Sequence, residues 1–345
     1  MTLKKRFKAL ILVCIMCIGM IPLAGCNGAS SDGARVIRIA HAQNENHPQH
    51  KALLEFKNYV EEKTNGEIEV QVFPNELLGA QSQTVELTQT GAVDLAIVGL
   101  GVLEAFNKVY TVFNLPYIMD STEHYHAVMN DPEIMDPVFQ ATKDSGFIGL
   151  TWFDAGVRNI YTVNKPVMTP DDLKGLKIRV QTSPTNVAML EALGASPTPM
   201  SFGEVYTGLQ QGVIDGAENN ELALVNNKHG EVAKAYSYNM HAMLPDILIM
   251  NSDLMEDLTP EQQQIFKDAA KYVNSWEVDA WEESSNEAKA KAEEMGVQFY
   301  YPDIKPFQEK MQSLHEKYTQ DPEMKAVFDQ IRAKGDELAA EKSES

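Results

Sequence analysis

Between Asp171 and Asn219 the chain repeats one pattern. Short apolar strands alternate with helical segments that each stop at a glycine. Lys177–Val180 reads as a strand, 186–193 as a helix ending at Gly194, 203–211 as a second helix ending at Gly212, and 213–217 as a further strand. Strands this apolar are covered on both faces, so the run demands a sheet with helices packed against it. Inside it sits one misfit. Arg179 lies between Ile178 and Val180, where a charge is costly unless an anion meets it.

The same rhythm precedes the run. Val36–Ala40 reads as a strand, and 49–62 as an amphipathic helix with Leu53, Phe56 and Val60 on one stripe and Pro48 in its first turn. Ile68, Val70 and Val72 alternate as a strand, a helix near 81–90 stops at Gly91, and Val93–Val98 is a continuous apolar strand. A second lobe begins near Gly156 with a strand at 157–163, the segments above, and a helix at 220–228. Ile247–Met250 reads as one more strand. Thr259-Pro260-Glu261-Gln262 then opens a helical pattern reaching Gly296, capped by Thr259 with proline at the first helical position. So long a helix is expected to span more than one lobe. The tail after Lys334 is charged and expected to fray.

The amino-terminus stands apart. Lys4, Lys5, Arg6 and Lys8 precede the apolar run Ala9–Ile21, too short for a spanning helix and placed as a secretory signal is. Leu23-Ala24-Gly25-Cys26 follows and resembles a lipobox, which implies that Cys26 carries a diacylglycerol and becomes the first mature residue. Cys14 and Cys17 lie in the segment that would be removed, so no disulfide is expected. Residues 27–34 are small and polar, as a tether would be. The net charge is −20; without the four leading basic residues it becomes 25 bases against 49 acids, near −24. So acidic a surface excludes a general nucleic-acid face, and any anionic ligand must be captured locally.

Motifs for catalysis are missing. Gly99-Leu100-Gly101 follows a strand but lacks the third glycine of a dinucleotide fingerprint, and reads as a strand-end turn lining a cleft. His47 and His50, or His124 and His126, have no third ligand at a metal-site spacing, and surface or helix-cap roles are expected for them. No nucleophile elbow or paired-carboxylate pattern occurs. The arginines remain. Arg158, at the start of its strand, and Arg179 can converge on one carboxylate through planar bidentate forks. The plainer alternative for each is an ion pair with a structural acid. Asn219 can add a neutral donor and acceptor, and Phe202 an apolar wall or simply a piece of core.

Three segments, D-D-L-K-G-L-K-I-R-V, L-G-A-S-P-T-P-M-S-F-G-E-V-Y and G-V-I-D-G-A-E-N, resemble the signature of the TRAP transporter substrate-binding proteins of the DctP type. Further matches run in order along the chain: T-N-G-E-I-E-V-Q-V-F-P from Thr64, L-L-G near Leu78, G-A-V-D-L at Gly91, L-P-Y near Pro116 and G-V-R at Arg158. The resemblance implies a two-lobed α/β fold of the periplasmic-binding-protein kind, with hinge strands and a long interdomain helix, closing on an organic acid. The expected division is 1–25 signal peptide, 26–34 lipid-anchored tether, 35–155 with 245–283 as lobe one, and 156–244 with 284–345 as lobe two. The family role implies a receptor rather than an enzyme, without cofactor or metal. It would work outside the cytoplasm, handing its ligand to small and large membrane subunits while tied to the membrane at Cys26.

By that resemblance Arg179 is the principal carboxylate clamp and Arg158 a second donor; Asn219 bonds the same carboxylate, Phe202 packs on the ligand, and His241 sits near the cleft. Gln81, Ser82 and Gly99 stand where sialate-binding members carry charged groups, which disfavours sialate. Asn219-Asn220, with His41, Asn44, Glu45 and Gln81 as lobe-one donors, looks like members that bind sugar acids, and a hexuronate such as glucuronate or galacturonate is expected. A C4-dicarboxylate receptor and an exported carbohydrate-processing enzyme are the alternatives.

Overall fold

The computed structural model describes residues 33–344, so the signal segment and Cys26 lie outside the described residues. The chain starts with β1 (Arg35–Ala40), α1 (Pro48–Lys63), β2 (Ile68–Phe73), α2 (Gln81–Gln89) and β3 (Leu95–Gly99). Four short helices follow: α3 (Leu100–Leu103), α4 (Val109–Phe113), α5 (Thr122–Met129) and α6 (Pro132–Gln140). Then come β4 (Phe147–Phe153), β5 (Val157–Thr162), β6 (Lys177–Val180), α7 (Pro184–Leu193), β7 (Ser196–Pro199), α8 (Val205–Gln210), β8 (Gly216–Asn219) and α9 (Glu221–Val225). The chain closes with β9 (Ala235–Met243), β10 (Asp246–Asn251), α10 (Ser252–Asp257), α11 (Pro260–Glu294), β11 (Gln298–Tyr300), α12 (Lys305–Tyr318) and α13 (Pro322–Glu344).

These strands build two sheets. The first has the order β2-β1-β3-β10-β4, parallel among β1, β2 and β3, with β10 antiparallel to β3 and β4. The second has the order β11-β9-β5-β8-β6-β7. Each sheet is covered on both faces, which is why its strands read as unbroken apolar runs. Along β3, Ala96 and Val98 enter one core while Leu95 and Ile97 enter the other. In the second sheet Ile178 and Val180 face the core formed with α7 and α12. Arg179, one residue out of phase, therefore points to the opposite face.

The chain crosses between the sheets at 154–156, leaving β4 for β5, and again at Leu244-Pro245, leaving β9 for β10. Gly156 has φ +63°, and a Cβ there would lie 2.9 Å from the Trp281 ring, so the first crossing accepts only glycine comfortably. The 35-residue α11 packs on α1 and β4 at one end and on α9 at the other, so it spans both sheets. Thr259 caps it as its sequence implies, with Gln262 closing the capping box.

Two expectations fail at the carboxyl end. Residues 284–345 do not all join the second lobe: α12 packs on α7 there, whereas α13 returns to α4, α5 and α6 of the first. Nor does the tail fray after Lys334. Helix α13 continues to Glu344, with Ile331 fully buried and Lys334 paired to Asp131 at 2.8 Å. Two of the lysines that suggested a solvated tail, Lys334 and Lys342, are held by Asp131 and Glu123 of the first lobe.

Candidate ligand-binding site

A polar cavity of about 380 Å³, open solvent at its mouth included, lies between the sheets. The second sheet contributes Arg158, Arg179, Gln181, Phe202, Asn219 and Asn220. The first contributes Gln43, His47, Gln49, Gln81 and Asp246, and Trp281 comes from α11.

The two arginines differ. Arg158 is committed to protein partners: Nε lies 2.6 Å from Glu218 Oε2, Nη2 donates to Glu218 Oε1 and to its carbonyl, and Nη1 donates to Asn219 Oδ1 at 3.1 Å. Burial would push the Glu218 carboxyl up, but Arg158 and His241 outweigh it and hold it at about 2. The pair is an internal salt bridge, the structural pairing that was the alternative for each arginine. Arg158 thus reaches the cavity with its charge already answered. Arg179 is 4% exposed, and its Nε and one Nη2 hydrogen go to the Met200 carbonyl at 3.0 and 2.8 Å. Both Nη1 hydrogens and the other Nη2 hydrogen remain, and among the described residues no carboxylate lies within ion-pair distance of it. Its guanidinium carbon sits 5.8 Å from the Phe202 ring centre. Burial pulls its pKa below the ordinary arginine value, opposed by Glu218. Here is a positive charge inside the protein with no counter-ion of its own.

The remaining expected site residues separate into those in the cavity and those behind it. Asn219 and Phe202 line it. His241 does not: its ring lies 3.2 Å from Glu218 Oε2 and 3.3 Å from Asn239 Oδ1, so it orients the acid that orients Arg158. It can do so because the β5–β9 register breaks between Arg158 and Ile160. There Asn159 and Asn239 side chains bond Met240 N and Ile160 N in place of the ladder.

In the first lobe, Gln81 lines the cavity, but its Oε1 accepts from Gly99 N at 2.7 Å. Asn44 is not a cavity donor. Its Nδ2 bonds the Asn226 carbonyl at 2.6 Å and so ties lobe to lobe. Glu45 is exposed and outside the cavity wall, because it lies in the loop before α1 on the solvent side. His41 is buried against His50, 3.0 Å between ring nitrogens, and is likewise outside the wall.

His47, expected at the surface or as a helix cap, does cap α1 by accepting from Gln49 N, yet it is buried and lines the cavity. Burial, reinforced by His41 and Lys51, lowers its pKa to about 3, so it is neutral. With Nδ1 accepting, its proton sits on Nε2. Sequence reasoning missed Gln43, Gln49, Gln181, Asp246 and Trp281. Gln181, two residues beyond Arg179 on the same strand face, carried a usable signal. Asp246 at the mouth of an apolar strand carried a weaker one.

Lobe contacts surround the cavity. Glu104, beyond α3, accepts from Ser183 Oγ at 3.0 Å and Thr185 N at 3.2 Å at the amino end of α7. Glu76 accepts from Gly203 N at 3.2 Å. The Gly99-Leu100-Gly101 segment, expected as a strand-end turn, is the junction of β3 with α3, and Gln181 of the other lobe inserts there: a Cβ on Gly101 would clash with its Oε1 and one on Gly99 would lie 2.6 Å from its Nε2. The glycines serve close approach of protein to protein, not a phosphate.

Residues 39–321 match the family described as bacterial extracellular solute-binding protein, family 7 (DctP). The chain belongs to this family. A TRAP periplasmic solute-binding protein from Anaerococcus prevotii, solved with bound α/β-D-glucuronate, is 49% identical with a TM-score of 0.87, covering 88% of this chain and 99% of that one. One from Xanthobacter autotrophicus Py2, with bound β-D-galacturonate, is 36% identical with a TM-score of 0.83, covering 86% and 99%. The C4-dicarboxylate-binding periplasmic protein DctP of Vibrio cholerae is 33% identical over 271 residues, 77% of this chain and 78% of that protein. Family members are solute receptors with the two-lobed α/β fold found here. Among the described residues no helix is long and apolar enough to cross a membrane.

Proposed function

We propose that this family member captures a hexuronate such as D-glucuronate or D-galacturonate by its carboxylate and passes it to TRAP membrane subunits. The reading rests on Arg179, a buried guanidinium facing the cavity without an acid of its own. A ligand carboxylate supplies the missing anion, in bidentate geometry that a lysine would not offer. Phe202 walls the carbon skeleton and Asn219 offers its amide beside the anion. The uronates named in the solved relatives support the ligand class.

Recognition and closure are coupled electrostatically. Closing the lobes without an anion buries an unpaired guanidinium, which costs several kcal/mol. With the carboxylate in place, the Asn44, Glu76 and Glu104 contacts form across the cleft, and binding selects the closed state. A lipid on Cys26 would hold the receptor at the outer face of the cell membrane. Calorimetry with D-glucuronate, D-galacturonate and D-glucose tests the proposal. Either uronate should bind and raise the melting temperature, by about 2.7 kcal/mol of stabilisation at a hundredfold excess over Kd. Glucose, without the carboxylate, should do neither. Failure of every hexuronate to bind would refute the reading.

A further inference from the structure

Arg179 accounts for one carboxylate; the rest of the cavity wall has the opposite character. Its other arginine is neutralised by Glu218 and its histidine is uncharged, so among the described residues no second unpaired cation lines it. It carries instead one acid, Asp246, and three buried amide oxygens without a partner: Gln43 Oε1, Gln49 Oε1 and Asn220 Oδ1.

Two of those amides are fixed in orientation. Gln49 Nε2 donates to Asp246 Oδ2 at 2.7 Å, so the acid holds the Gln49 amide with its oxygen turned away as a free acceptor. Asn220 Nδ2 donates to the Ala155 carbonyl at 2.9 Å and to Asn219 Oδ1 at 3.1 Å, both pure acceptors, so its oxygen is fixed too. Buried acceptors left unpaired are costly, and only a donor relieves them. The hydroxyls of a sugar are such donors; a second carboxylate has none to give.

We propose that Asp246 is a specificity-determining residue, which makes the wall outside the Arg179 clamp an acceptor surface and so admits a polyhydroxylated monoacid while rejecting a diacid. The inference rests on the proposed hexuronate function and deepens it. A hydroxyl donates to Asp246 and to the oriented amides. A second carboxylate in the same place meets a like charge and three acceptors.

The test pairs D-galacturonate with galactarate, the hexaric acid in which the far end of the same skeleton is a carboxylate. Calorimetry at neutral pH on wild type and Asp246→Asn gives the ratio of the two affinities in each. Wild type should favour galacturonate. Asp246→Asn should weaken galacturonate and narrow the ratio by roughly tenfold, about 1.4 kcal/mol of discrimination. Any penalty arising from ligand shape cancels in that comparison. Gln49→Met, which removes one oriented acceptor and releases Asp246, should narrow the ratio in the same direction, and keeps the inference testable if Asp246→Asn does not fold. A wild type that binds uronate, with a ratio unchanged in the variants, overturns this inference alone. A wild type that binds no hexuronate overturns the proposed function with it.

Discussion

Closure should take up a proton, and Glu104 identifies where. Its carboxyl meets the amino end of α7 across the cleft, and burial pushes its pKa from 4.5 to about 7 despite the bonds from Thr185 and Ser183. In the opening motion proposed above, that carboxyl would return to solvent and to an ordinary value. A group whose pKa is raised in the closed state favours closure while protonated. Its support is complete below pH 4.5, declines as pH rises, and is gone above about 7. At pH 6 the closed form would hold roughly 0.9 proton at this site and the open form almost none. The full shift corresponds to about 3 kcal/mol as an upper limit.

The assay is titration calorimetry with D-glucuronate at pH 6 in buffers of differing ionisation enthalpy, on wild type and Glu104→Gln. Glu76 and Asp246 are also raised by burial, while His47 is lowered, so the difference between the two proteins isolates Glu104. Wild type should take up roughly 0.9 proton more than the variant, and its affinity should fall more steeply between pH 5 and 7. Equal proton uptake and parallel pH profiles would refute the reasoning.

Further expectations follow from single contacts. Gly101→Ala puts a methyl group against Gln181 of the other lobe when the lobes close, and 3.2 Å from Asn114 Oδ1 of its own lobe, so ligand affinity should fall roughly fivefold, about 1 kcal/mol of overpacking, with a smaller loss in ligand-free melting; adding Gln181→Ala should recover most of the affinity loss. Glu218→Gln leaves Arg158 buried without its counter-charge and should lower stability to urea by about 3 kcal/mol. The low pKa of Glu218 also means that this stabilisation, present above pH 4.5, should fade as pH falls toward 2. Cys26→Ser should move the protein from the membrane fraction to the soluble fraction of cells, as a lipid anchor at that residue requires.

Much of the scaffold was legible because it obeys local rules. The strand read at 36–40, the alternation at 68–72 and the capped start of α11 each rest on periodicity or cap chemistry within a few residues. Where tertiary contacts decide, the reading failed. Strand β9, A-Y-S-Y-N-M-H-A-M, went unread because its buried Asn239 and His241 serve the polar network around Glu218 and its buried Ser237 accepts from Val167 N. The strand read at 213–217 lies at Gly216–Asn219, because Val213 and Ile214 belong to the turn closing α8. The end of helix α13 looked like a loose tail because the acids that hold Lys334 and Lys342 lie some two hundred residues upstream. In the site, Arg179 announced itself as a charge between apolar neighbours. Arg158 looked equivalent until Glu218, a carboxylate inside an equally buried strand, came beside it. Each half of that pair was visible alone, but only the fold shows which arginine is left free.

That free charge can be tested directly. The affinity of D-glucuronate for Arg179→Met, which keeps much of the side-chain stem against Phe202 and removes the charge, should fall at least a hundredfold, about 3 kcal/mol. The ligand-free protein should lose only the roughly 1 kcal/mol of the bonds to the Met200 carbonyl, since no acid loses its partner. Undiminished binding in that variant would contradict the account.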